Sequence, residues 1–449
     1  MILFLHNRYR TTGGEERVVG ELMALVRKHL DEPAELLERD SAGLGGVRAT
    51  TALLRGGVAP REVAKAVRLT GARVVHAHNL GPLFGWRALA AAREQGARVV
   101  LHLHQYRLVC ATGVCFTGGQ ECTRCQGRNT LPGVIHNCRG SRAEALAYGA
   151  SLALWQGRLV EQADVVIVPS EFARKRLQEL GAPLDFEQVQ VLAPPVRMPE
   201  ERAEVKSGAY ALVVSRLAPE KGVDVAIEAC RLAGVPLVVA GDGPEGDALR
   251  AGVRDAKFAT PHARVGQGKM DDLPAQVGYA KFVAPHTRVG QDEAEGLSTE
   301  VGHANFAAPH ARVGQAETDG PSTGAERGEA RFVGRVGDDA LERLRAGAAL
   351  AIVPSRSAET FGMAAAEAMA AGVPVVASRI GALPELVEEP GLVDPGDATA
   401  LAEAIGRLWG DAAAGGRGRA RVSELCSPEV VAEGLEAVYG TNRSTARRA

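Results

Sequence analysis

The sequence predicts an α/β protein with two doubly wound, parallel-sheet domains facing each other across a cleft. Short apolar runs alternate with longer amphipathic stretches almost to the end of the chain, the pattern of repeated βαβ units. The 449 residues suffice for two or three domains of about 150 residues, each with its own core. Hydrophobic residues make up 46% and aromatics only 4%, so Ala, Val, Leu and Gly carry the core, as suits parallel strands covered by helices.

The first series of elements has strand candidates at Ile2–Leu5, Val74–Ala77, Val99–His102 and Val165–Val168, with helices such as Glu15–His29 between them. Its last strand ends in Pro169 and Ser170. A Pro-rich link, Ala193–Glu200, is the expected hinge. The second series then runs through Tyr210–Val214, Leu237–Ala240, Ala349–Val353 and Val373–Ala377. The domains are therefore placed at 1–195 and 201–428, and a helix within 429–449 is expected to pack back toward the first domain before a tail.

Met1–Leu5 is too short for a signal peptide's apolar region, and no run reaches the eighteen or so residues of a membrane span. The expectation is a cytoplasmic protein, soluble or peripheral at the inner face of the membrane. With 52 basic against 54 acidic side chains, a formal charge of -2, nothing suggests a surface for nucleic acid.

Between 256 and 326 the chain carries three copies of one unit, AKFATPHARVGQ, AKFVAPHTRVGQ and ANFAAPHARVGQ, starting at Ala256, Ala280 and Ala304. The units lack the apolar periodicity with which stacked repeats bury a shared core, so a solvated, disordered loop is expected. A degenerate fourth copy, Ala330–Gly337, precedes the strongest motif and reads as the structural original.

That motif is PSRSAETFGMAAAEAMAAGVPVVAS, following the strand Ala349–Val353. Glu359 lies in its turn and Glu367 on the helix after it. One carboxylate can reach sugar hydroxyls and the other a ribose diol. The main-chain N–H groups of Phe361, Gly362 and Met363 open that helix, where unpaired donors and the helix dipole favour a diphosphate. Arg216 and Lys221 follow Tyr210–Val214 at the carboxyl end of a parallel strand, the usual ligand edge, and can neutralise a leaving diphosphate. In AGDGPEGD, Gly241 and Gly243 let backbone approach a ligand.

Taken in order, SRLAPEKG, AGDGPE, FVGRV, ETFGMAAAE, AAGVPVVAS and GALPELV resemble the donor domain of family 4 glycosyltransferases of the GT-B fold, two facing Rossmann-like domains. The resemblance implies a retaining transfer from a nucleotide-diphosphate sugar, UDP- or GDP-linked, to a hydroxyl of a carbohydrate or lipid-linked acceptor in envelope, polysaccharide or glycolipid synthesis. It assigns Arg216 and Lys221 to the donor phosphates, Glu359 to the transferred sugar, Glu367 to the ribose and the backbone around Gly334 to the base. In the first domain HNRYRTTGGEERVV would bring Gly13, Gly14 and Glu15 to the cleft. VVHAHN would set His76, His78 and Asn79 on the acceptor side, and VVLHLHQYRLVC would put His104 nearest the transferred sugar, with Gln105 where Asp is commoner. No cofactor is implied for transfer, and the chain has no Asp-x-Asp to hold a divalent ion on the phosphates.

Five of the seven cysteines fall between Cys110 and Cys138. Cys110, Cys122, Cys125 and Cys138 have the spacing of a closed, structural zinc site, with Cys115 as the spare and His136 as a substitute ligand. Free or redox-active thiols are the other reading. A glycoside hydrolase would use two carboxylates without phosphate-binding cations, which Arg216 and Lys221 argue against. A nucleotide-sugar 2-epimerase, hydrolysing or not, on the same scaffold and a non-catalytic nucleotide-sugar-binding protein remain as alternatives.

Overall fold

Ile2 and Phe4 leave one face of the first strand, Leu3 and Leu5 leave the other, and all four are buried, so this strand needs a covering layer on each side. The computed structural model describes residues 1–8, 14–255 and 329–440. All belong to one compact unit; the second unit, Lys269–Ala325, lies outside the described residues, as do the three repeats and the reading made of them.

In chain order the first half runs β1 (Ile2–Arg8), α1 (Gly14–His29), β2 (Ala34–Asp40), α2 (Gly46–Leu54), α3 (Pro60–Thr70), β3 (Val74–Ala77), α4 (Gly85–Glu94) and β4 (Arg98–His102). The cysteine-rich segment follows, with β5 (Phe116–Thr117) and β6 (Gln120–Glu121) paired as a small hairpin and a short α5 (Leu131–Ile135). The half closes with α6 (Arg142–Glu161), β7 (Val165–Val168), α7 (Glu171–Glu179) and β8 (Val189–Val191). Ser141 and Ser170 cap α6 and α7, each accepting from the backbone N–H three residues on. The six long strands form a parallel sheet ordered β2-β1-β3-β4-β7-β8.

The second half runs β9 (Tyr210–Val214), α8 (Val223–Ala233), β10 (Leu237–Ala240), α9 (Gly246–Asp255), β11 (Ala330–Gly334), α10 (Asp338–Ala346), β12 (Ala348–Val353) and α11 (Met363–Ala370). It ends with β13 (Val375–Ser378), α12 (Leu383–Leu386), β14 (Leu392–Val393), α13 (Ala398–Leu408), α14 (Ala412–Cys426) and α15 (Pro428–Tyr439). Its parallel sheet is ordered β11-β10-β9-β12-β13-β14. In each sheet the order reverses beside the first strand, between β1 and β3 and between β9 and β12. Crossovers leave such a point on opposite sides and open a crevice at the strands' carboxyl ends.

The strand expected at Val373–Ala377 begins two residues later. Pro374 has no N–H for the ladder, although its carbonyl accepts from the Ala351 N–H at 2.9 Å. No helix among the described residues is long and apolar enough to cross a membrane.

Helix α15 belongs to the first sheet although it follows the second. Val431, Ala432, Leu435, Val438 and Tyr439 pack into one cluster with Ile2, Phe4, Val74, Val100 and Ile167 and with the apolar stripe of α1. Arg73 and Arg98 donate to the carbonyls of Tyr439 and Val438 at 2.9 Å, and the buried Tyr439 hydroxyl lies 2.7 Å from His76 Nδ1. Tyr439→Phe leaves that ring nitrogen buried without a partner, so the variant should lose about 1–3 kcal/mol in urea unfolding while keeping its secondary structure. A change below about 0.5 kcal/mol would show that the bond contributes nothing net.

Candidate functional site

Strand β9 ends at Val214, and the turn that follows carries Arg216, Glu220 and Lys221. Its neighbour β12 ends at Val353 and leads to Ser355 and Glu359. The backbones of Arg356 and Ser357 donate to the Glu220 carbonyl at 2.8 and 3.2 Å, which fastens the two turns together at the switch point. Lys221 Nζ then lies 2.5 Å from Glu359 Oε1, and Ser355 Oγ donates to the same oxygen at 2.6 Å. Burial opposes ionisation of Glu359, but the Lys221 ammonium and the two hydrogen bonds outweigh it and hold the carboxyl below its ordinary value. Arg216 pairs with the Glu220 carboxylate.

The turn opens into α11 through Gly362, whose φ of +108° is a left-handed conformation that suits glycine. Phe361 is buried, and Met363 packs against the core shared by the first sheet and α15. Glu367, one turn into α11, is held by Arg345 of α10 and by Arg17 of α1, whose Nη1 is 3.0 Å away. Sequence reasoning found neither arginine, because nothing local marks an arginine on a surface helix as the partner of a distant glutamate.

Gly241 and Gly243 have another use than the ligand approach expected of them. A Cβ on Gly241 would lie 1.8 Å from the Ser215 carbonyl oxygen, and one on Gly243 would lie 2.3 Å from that of Leu217. Both glycines let the turn after β10 pack against the turn after β9. The Gly334 carbonyl accepts from the Gly241 N–H at 2.7 Å, and the space beside the Gly334 Cα is open.

In the first domain Gly13 lies outside the described residues, while Gly14 begins α1 and is exposed. Gln105 Nε2 donates to Glu15 at 3.3 Å. His104 Nε2 is 2.8 Å from His78 Nδ1, and burial lowers the pKa of both rings, His104 being partly sustained by Glu15. Thr360, the neighbour of Glu359, donates to the His104 carbonyl at 2.8 Å, so the structure brings His104 to the loop that carries Glu359. Two more bonds join the halves there. Ser170 Oγ donates to the Thr360 carbonyl at 2.7 Å, and Glu385 accepts from the Phe172 N–H at 2.5 Å at the amino end of α7.

His76 and Asn79 do not face the cleft. His76 is wholly buried between Tyr439 and His102, and burial together with the neighbouring His104 pushes its pKa down to about 3. Asn79 is buried and donates to the Asn7 carbonyl at 2.6 Å, tying the ends of β1 and β3. His76 lies within β3, below the sheet edge, whereas Asn79 lies past the end of β3 and is withdrawn by burial and by its bond to the Asn7 backbone.

Cys110, Cys115, Cys122, Cys125, Cys138 and His136 line one cleft. Cys115 is buried against Cys110, whose pKa the hydrogen bond from Cys115 pushes down to about 5 against the effect of burial. Burial pushes the Cys125 thiol up to about 11. Among the described residues, the only three or more His, Cys or carboxylate groups with ligand atoms within 4.8 Å of one another are His76, His78 and His102. The cysteine sulfurs thus share a wall without converging on one point.

Two family models match the chain, "Glycosyl transferase 4-like domain" over residues 17–195 and "Glycosyl transferases group 1" over 310–411, together well over half of it. An MMP alpha-(1->4)-mannosyltransferase of Mycolicibacterium hassiacum is 43% identical over 110 residues, 23% of this chain and 26% of that one. An O-antigen chain mannosyltransferase B of Escherichia coli is 43% identical over 83 residues, 18% of this chain and 22% of that one. The chain thus matches only about a quarter of the length of these curated relatives. Among solved structures, the Anabaena protein HepE in complex with UDP and glucose has a TM-score of 0.56 at 18% identity, over 98% of this chain and 99% of that one. A glycosyltransferase from Rickettsia africae has a TM-score of 0.57 at 14% identity, over 100% and 99%. With the glycosyl transferase 4-like model on the first sheet and the glycosyl transferases group 1 model on β11–β14 of the second, the chain belongs to this family of glycosyl transferases, and its two parallel sheets have the GT-B fold.

Proposed function

We propose that the enzyme transfers a sugar, with retention, from a nucleotide-diphosphate sugar bound on the second sheet to a hydroxyl of a glycan or lipid-linked acceptor bound on the first. The observation that carries the reading is the Lys221–Glu359 pair at the β9/β12 switch point, joined to His104 through Thr360. A donor's diphosphate entering there takes Lys221 and Arg216 as counter-charges and the N–H groups opening α11 as hydrogen-bond donors. Its sugar takes Glu359 as acceptor. Glu367 exchanges one arginine oxygen contact for the ribose diol, and the base lies by Gly334, where the backbone leaves room. As the bond to the anomeric carbon breaks, the departing diphosphate takes the acceptor's proton on the same face, so no enzymic nucleophile is used and His104 orients the sugar. No metal takes part in transfer. The complexes of HepE with UDP and with UDP-glucose support UDP as the base-bearing half; the two mannosyltransferase relatives support a mannosyl donor. The enzyme works in the cytoplasm, peripherally at the membrane carrying its acceptor, in envelope or polysaccharide synthesis.

A thermal-shift screen of UDP-, GDP- and ADP-sugars identifies the donor, because a ligand at 100 times its Kd stabilises by about 2.7 kcal/mol. With that donor, Lys221→Ala and Glu359→Gln should each lower kcat/KM at least a hundredfold with unchanged circular dichroism. Near-normal transfer by either variant would remove the pair from the site.

The pair also sets a pH dependence. Because the folded Glu359 pKa lies below its ordinary value, its ionisation favours the folded state above the unfolded pKa, and that contribution is lost as pH falls through the folded one. In Lys221→Gln the opposing effect of burial is left to dominate, so the acid limb of the kcat/KM profile should move to higher pH. An unmoved limb would mean that Glu359 is not the group that titrates.

The cysteine cleft takes a structural zinc on this reading, held by Cys110, Cys122, Cys125 and Cys138. Four cysteines on one wall supply the soft donors that zinc prefers, and a closed tetrahedral site would require their sulfurs to draw closer together than the structure places them. Elemental analysis of protein purified without chelator should find about one zinc per chain, lost in a Cys122→Ser, Cys125→Ser variant. Metal-free protein would leave the cleft to redox-active thiols.

A further inference from the structure

Helix α6 is apolar almost all round, which is ordinary only for a helix buried on every side. This one is not. Leu146, Ala150 and Leu154 recur every four residues along a single stripe, and both leucines are exposed. The two flanks of the stripe are occupied. On one side Ser151 Oγ and Trp155 Nε1 donate to the carbonyls of Leu53 and Leu54 in α2 at 3.1 Å. On the other, Thr130 Oγ1 donates to the Gly149 carbonyl and Arg128 Nε to that of Ala153, both at 2.8 Å, which docks the segment leading into α5. Those flanking helices add Val47 and Leu54 from α2 and Leu131 and Ile135 from α5. The six large side chains are between 42% and 82% exposed. No other part of the described chain gathers as many.

Charge around this face is predominantly positive. The two stretches that build it, 42–56 and 121–161, contain seven arginines against three acidic residues, Glu121, Glu144 and Glu161, in a chain whose overall charge is -2. Arg48, Arg55, Arg128, Arg142 and Arg158 are exposed. An apolar ridge rimmed by arginines suits an interface where hydrocarbon meets anionic headgroups: apolar side chains enter the acyl boundary, and each basic residue near an anionic surface adds about 1 kcal/mol. Protein partners of matching shape would need an acidic rim of their own, and the arginine excess here has no counterpart elsewhere in these elements to pair a second copy face to face.

We propose that the face formed by α2, α5 and α6 docks the enzyme on an anionic phospholipid bilayer. The proposal gives a place to the peripheral association in the functional reading and rests on that reading only for its biological purpose. Docking on this face sets the cysteine-rich segment that follows His104 against the membrane, on the side of the first sheet where a lipid-linked acceptor would arrive.

The test is co-sedimentation of the full chain with vesicles of phosphatidylglycerol or of phosphatidylcholine, without donor, at low and at high salt. The protein should pellet with phosphatidylglycerol and stay in the supernatant with phosphatidylcholine. Leu146→Glu with Ile135→Glu should weaken vesicle binding at least tenfold, and Arg48→Gln with Arg142→Gln should weaken it several-fold and flatten its salt dependence. Because the arginine variant removes no buried side chain, it tests the face even if the glutamate variant fails to fold. Donor-induced thermal stabilisation is read on the same samples, so loss of vesicle binding with donor binding intact separates this proposal from the donor site. No pelleting of the parent, equal pelleting of both variants, or a parent dimer that the glutamates turn into a monomer would each overturn it.

Discussion

A parallel sheet delivers the carboxyl end of every strand to one edge, and that constraint decides where this molecule can work. The two sheets place their switch points at β1/β3 and β9/β12. Residues from separate motifs therefore meet at those edges without any being neighbours in sequence. Lys221 and Glu359 are 138 positions apart and touch. Thr360 reaches the His104 carbonyl across 256 positions. Without parallel pairing, the motifs of the second half would be scattered over two edges and the cation would have no carboxylate beside it.

The electrostatics at the edge follow from burial. Glutamates and arginines withdrawn from water are expensive unless each finds a counter-charge. Glu359 finds Lys221, Glu220 finds Arg216, and Glu367 finds Arg345 and Arg17. Each pair is a small store of exchangeable contacts. An incoming anion competes for the cations and an incoming diol for the carboxylates, so the site is organised before a ligand arrives and stays satisfied afterwards. The Arg17–Glu367 contact and the Thr360 and Glu385 hydrogen bonds also join the halves, which couples occupancy of the donor edge to the way the first sheet is held.

Much of this was legible in the sequence for a physical reason. Strands buried on both faces write themselves as continuous apolar runs, and the runs at Val74–Ala77, Val165–Val168, Tyr210–Val214 and Leu237–Ala240 have those same bounds in the structure. Lys221 and Glu359 could be singled out because they follow the carboxyl ends of strands, where such sheets bind ligands, and His104 because its segment resembles the family's. Depth was not legible. His76 and His78, like His102 and His104, share a face of their strand, and only their height along it separates a core histidine bonded to Tyr439 from one at the rim. Nor was partnership: Arg17, Arg345 and Glu385 look like any charge on an exposed helix until the fold brings a counterpart opposite. The two glycines of AGDGPE were found for one reason and are needed for another, since a short Gly turn reads alike whether backbone or ligand approaches it.

The last helix has a consequence for the making of the protein. Ile2, Phe4, Val74, Val100 and Ile167 present a greasy surface whose cover, α15, is encoded more than two hundred residues after the first sheet ends. At about 5–20 residues per second, a ribosome leaves the part of that surface not covered by α1 without its lid for roughly 12–50 s. The nascent first domain thus keeps that part of its core open throughout the synthesis of the second, and closes it only once α15 has been made.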